Sequence, residues 1–181
     1  ANNNTAVGKS ALFANTTGGQ NVAVGGVALD ANTTGNENTA VGYGSLSGNT
    51  TAAGNTALGW YSMFGTTTGY ANVAIGLSAL QVQTTGHENV AIGHQSLDAL
   101  TTGSLNTAIG RAAGGAVTTG NDNVALGYLA LNLNTKSNRN VAIGSEALKT
   151  LNVTSDTHVY NTAVGYAAGQ AVTTGTLNTL I

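Results

Sequence analysis

The sequence predicts an all-β fold, a parallel β-roll or β-solenoid of about ten coils. Three observations carry the prediction. The motif Asn-[Thr/Val]-Ala-[Val/Ile/Leu]-Gly recurs at Asn4, Asn21, Asn38, Asn55, Asn72, Asn89, Asn106, Asn123, Asn140, Asn161 and, shortened, Asn178. Every step is 17 residues except the 21 from Asn140 to Asn161. A fixed period of this size means stacked supersecondary units. Apolar residues do not recur at helical spacing, and Thr, Gly and Asn are poor helix formers.

One unit, residues 21–37 (NVAVGGVALDANTTGNE), supplies numbers 1–17 for the positions of every coil. Gly25 and Gly35 mark its turns. Between them the spacing predicts two extended runs of about five residues each, and hence two layers. In the first run, position 3 is Ala in every full copy, from Ala6 to Ala163. Position 4 is branched and apolar: Val7, Val24, Val41, Leu58, Ile75, Ile92, Ile109, Leu126, Ile143 and Val164. Neighbours in a strand face opposite ways, so one face shows Ala and the other a Val/Ile/Leu row. The roll interior covers one face only, and monomers rarely expose so large an apolar stripe. These ten residues are therefore the expected oligomer interface, packed around a symmetry axis.

The second run contributes Leu12, Leu29, Leu46, Met63, Leu80, Leu97, Leu131 and Leu148, with Gly114 and Gly169 as exceptions. Large side chains opposite small Ala fill a thin core. In the two exceptional coils a Val follows three positions later, Val117 and Val172, which reads as compensation.

The 26 Gly, absence of Cys and Pro, and 12 charged residues suit a fibre or surface protein. A net charge of −2 gives no reason to expect a nucleic-acid partner. No apolar run is long enough to span a membrane. Residues 1–181 read as one repeat domain without internal linkers, expected to be a segment of a longer fibre or an end-to-end stacking unit, since neither end carries a polar cap.

The strands Asn72-Val73-Ala74-Ile75-Gly76 and Asn89-Val90-Ala91-Ile92-Gly93 resemble the head repeat of trimeric autotransporter adhesins, the YadA-like head. Similar runs occur in phage tail fibres. The resemblance extends over essentially the whole chain. It implies a left-handed roll, a homotrimer and an extracellular role in attachment, on a cell surface or a virion. Two departures are visible. The family period is nearer 14, and the Ser that follows its Asn is Thr or Val here.

The most varied column follows the strand glycine, at position 6: Lys9, Gly26, Tyr43, Trp60, Leu77, His94, Arg111, Tyr128, Ser145 and Tyr166. Its aromatics could stack on sugar rings or pack at a subunit edge. Tyr43, Trp60, Tyr61, His94, Tyr128 and Tyr166 are the candidate receptor contacts, for a host-surface glycan or protein. Trp60, Tyr61 and Phe64 form one expected cluster. The Thr-Thr pairs, from Thr16-Thr17 to Thr173-Thr174, admit turn chemistry or an ice-binding array, to which adjacent threonines give only one side chain per coil. The four extra residues within 152–160 predict an exposed loop carrying Asp156 and His158. His87, His94 and His158 are read as lying in different columns, so no metal site is expected. Glu37, Glu88 and Asp122 share a column without pairing. The Asn-Thr-Thr sequons at Asn15, Asn32 and Asn49 follow from the turn and are weak glycosylation signals. No catalytic constellation and no cofactor motif is present, so the leading expectation is a non-enzymatic fibre or adhesin segment. A phage tail-fibre shaft and an ice-binding solenoid are the alternatives.

Overall fold

A computed structural model describes residues 3–181. Eleven short strands follow one another: β1 (Thr5–Val7), β2 (Val22–Val24), β3 (Thr39–Val41), β4 (Thr56–Leu58), β5 (Val73–Ile75), β6 (Val90–Ile92), β7 (Thr107–Ile109), β8 (Val124–Leu126), β9 (Val141–Ile143), β10 (Thr162–Val164) and β11 (Thr179–Leu180). They form one sheet in sequence order, every neighbouring pair parallel. The register places like on like: Ala74 faces Ala91 and Ile75 faces Ile92. Each strand is one coil of a solenoid of about ten turns and 17 residues per coil. At about 4.8 Å per parallel neighbour, the stack is roughly 50 Å long.

The second extended run is absent. Positions 7–14 form a second hydrogen-bonded layer, but not a strand. Leu29 (position 9) has φ 50°, and Val27 (position 7) has φ 49°. The same left-handed conformation recurs at Leu46, Met63, Leu80 and Leu97. These residues close successive tight turns, Ala28 N–H to Gly25 O and Asn32 N–H to Leu29 O. The layer still ladders between coils, through Leu29 N–H to Ser45 O and Thr33 N–H to Thr50 O. Left-handed backbone costs roughly 1–2 kcal/mol per non-glycine residue. It persists because bonds to the next coil over-determine it.

The core lies between the two layers. The position-3 alanines from Ala23 to Ala163 are buried, as are Leu29, Leu46, Met63, Leu80, Leu97, Leu131 and Leu148. A methyl group at Gly114 would lie 2.8 Å from Leu97 and 3.6 Å from Val117. Val117 is fully buried, so it and Leu97 occupy the space the missing leucine leaves.

Buried amides share the core with the apolar rows. The motif asparagine closes its own coil: Asn72 Nδ2 donates to Gly86 O at 3.0 Å. Its Oδ1 accepts the Asn89 backbone N–H at 2.9 Å and Asn89 Nδ2 at 3.1 Å. The same clasp recurs at the other motif asparagines from Asn4 to Asn123 and at Asn161, whereas Asn140, which opens the 21-residue coil, donates back to Asn123, Ser137 and Asn138. Asn72→Ala is expected to leave these groups buried and unpaired, at a cost of about 3 kcal/mol. A lowered thermal midpoint would register it; an unchanged midpoint would refute the clasp.

Candidate functional site

The outward face of the sheet carries positions 2 and 4. The Val/Ile/Leu row is only partly covered by its own chain. Val24, Val41, Ile75, Ile92 and Leu126 are half-buried; Val7, Leu58, Ile109, Ile143 and Val164 are exposed. Position 2 adds half-buried Val22, Val73, Val90, Val124 and Val141 beside threonines in the other coils. The result is a continuous face of two aligned columns, without a charged residue at either position in any coil.

The chain turns at position 5 and presents position 6 at the corner of this face. Tyr43, Trp60, Leu77, His94, Arg111, Tyr128 and Tyr166 are all exposed there. Three of the aromatic candidates and Phe64 come together. The Tyr61 ring centroid lies 4.1 Å from Trp60, 4.8 Å from Phe64 and 5.7 Å from Tyr43. The Phe64 and Tyr43 contacts are edge-on, the favoured aromatic geometry. The other candidates stand apart. Tyr128 lies beneath the Arg111 guanidinium at 5.7 Å. His94 is two coils beyond Trp60, and Tyr166 is six coils beyond it and 81% exposed.

The threonine ladder is spent on stacking. The hydroxyl of the first threonine donates to the equivalent carbonyl of the next coil, Thr33 to Thr50 at 3.0 Å and Thr84 to Thr101 at 3.1 Å. The second, such as Thr34 or Thr85, is exposed. Asn32 and Asn49 of the sequons are fully buried, which removes them as glycosylation acceptors in the folded chain.

The 21-residue coil does carry an exposed segment, residues 154–158. Its end is anchored, since Asn138 bridges to His158 and Val159 is fully buried. Asp156 accepts a hydrogen bond from Thr119 at 2.9 Å, two coils back. Asn138 and His87 both occupy position 16, so the bridge brings His158 beside the column of His87. Towards the next coil Val159 takes that place, since its carbonyl accepts the Leu177 N–H as position 16 accepts from position 17 elsewhere. The two histidines remain four coils apart. Among the described residues no group of three or more His, Asp or Glu could hold a metal ion.

Two small networks escaped the sequence reading. Tyr70 and His87 stack at 4.8 Å, nearly parallel. At position 17, Arg139 donates to the Tyr160 hydroxyl at 2.7 Å and stands 3.5 Å from Asp122. The Tyr160 contact, with Asp122 second, raises the already high Arg139 pKa. A position-17 alignment aware of the insertion would have placed Tyr160 beside Arg139. Burial raises the Asp98 carboxyl above its ordinary value, against its own backbone N–H and the nearby His94, which lower it.

No protein-family model, curated protein or solved structure matches this chain.

Proposed function

We propose that this chain is a non-enzymatic structural segment of an extracellular fibre, assembled side by side with copies of itself through the outward sheet face. One observation carries the reading: ten branched apolar side chains in register on one face, none fully covered by their own chain. Covering the remaining half of each contributes about 1 kcal/mol, hence about 10 kcal/mol per chain from position 4 alone. That is comparable with the cost of association, roughly 4–15 kcal/mol, and the position-2 valines add to it. A self-complementary face is satisfied most simply around a symmetry axis. The number three and the attachment role, on a cell surface or a virion, come from the resemblance of the Asn-Val-Ala-Ile-Gly strands to adhesin heads and tail fibres.

Sedimentation equilibrium tests the reading. The trimer has three times the 17.9 kDa of one chain. A chain that stays at 17.9 kDa at micromolar concentration overturns it.

A further inference from the structure

We propose that the aromatic cluster on the fourth coil is a binding platform for a neutral sugar ring. The inference rests on the fibre reading only in that the cluster must stay accessible in the assembly. Its position meets that need. Tyr61 and Phe64 (positions 7 and 10) belong to the turn layer, across the buried Met63 row from the sheet face, and Trp60 stands at the corner between them.

The platform is built rather than accidental. A methyl group at Gly44 would lie 2.5 Å from the Tyr61 ring and 3.6 Å from Phe64. The bare backbone of the preceding coil is therefore what lets the Tyr61 ring lie down over it, with Phe64 in ordinary contact beside it. Tyr61 is then held by three other rings, while Trp60 keeps 50% of its surface exposed. A rigid, half-exposed indole backed by a fixed ring offers a flat apolar surface at low entropic cost.

Polar groups border it. Position 10 in the two preceding coils is Asp30 and Ser47, joined by a 2.6 Å hydrogen bond from the Ser47 hydroxyl. In the following coil it is Gln81. An aromatic floor beside a few planar hydrogen-bonding groups suits a ring with one apolar face and a hydroxylated rim. Charge selects among such ligands. No Lys or Arg occurs between Lys9 and Arg111, so nothing in these coils compensates a sulfate, phosphate or carboxylate. The ligand is therefore a neutral pyranose within a glycan.

Trp60 is the chain's only tryptophan, so its emission reports this site alone. The probes are cellohexaose, maltohexaose and chitohexaose. At least one is expected to shift Trp60 emission to shorter wavelength and to saturate, with a dissociation constant near about 1 mM or below. Phe64→Ala and Tyr43→Ala, checked for unchanged circular dichroism, should weaken that response about tenfold. Trp60→Ala should abolish retardation of the protein in a gel containing the corresponding polysaccharide. No saturable shift with any of the three, or a shift of equal affinity in both alanine variants, overturns the proposal. All variants should keep the sedimentation mass of the wild type. A wild-type chain that sediments at 17.9 kDa would sink the assembly reading and leave this one standing.

Discussion

Ile92→Asp is expected to abolish assembly while leaving the single coil stack folded. Ile92 lies in the middle of the outward row and is half-buried by its own chain, so an aspartate there can reach water in a monomer. In an assembly, identical carboxylates would be buried together without a cation, because positions 2 and 4 hold no Lys or Arg in any coil. Desolvating an unpaired charge costs several kcal/mol per copy. The dissociation constant should rise by at least about 100-fold. Thr85→Asp is the control, since Thr85 is exposed on the turn at the far side of the coil. It should leave the mass unchanged. An Ile92→Asp chain that sediments like the wild type would show that the sheet face is not the interface.

Gly76→Ala is expected to break the stack at one coil. Gly76 has φ +131°, a conformation open essentially to glycine alone. An added methyl would also lie 2.7 Å from the backbone carbonyl carbon and oxygen of Gly93 in the next coil. Neither backbone can yield without losing the ladder on both sides. A cost of about 4 kcal/mol is expected, large for one methyl group. Because each coil contacts only its neighbours, the damage should divide the melt into two transitions. Gly54→Ala separates this from a general intolerance of side chains at glycines. Gly54 has φ +70°, and its methyl would find nothing closer than 3.9 Å. Ala71 already occupies the equivalent position of the next coil at φ 53°. That variant should melt within about 1 kcal/mol of the wild type. Equal losses in both would refute the close-approach argument.

The two glycines also show where the sequence was legible. Column identity gave the coil, the register and the inward alanines directly, since like residues stack on like. The second layer was misread because its left-handed positions hold Val27, Leu29, Leu46 and Met63. These favour strands or helices in isolation, and only the bonds between coils hold them in turns. The buried role of Asn72 was likewise hidden, because an asparagine beside a turn usually serves the turn itself. At the candidate site, neighbouring columns were enough to bring Trp60, Tyr61 and Phe64 together. The Arg139–Tyr160 pair was missed because the 21-residue step shifts every later residue by four.

The central claim, that copies of this chain cover the outward sheet face side by side, is tested most directly by mass per unit length from small-angle X-ray scattering. End-to-end stacking lengthens a rod without changing this quantity, whereas side-by-side assembly multiplies it. The account predicts three chains of 17 residues for every coil rise of about 4.8 Å. A value of one chain per coil rise would contradict it.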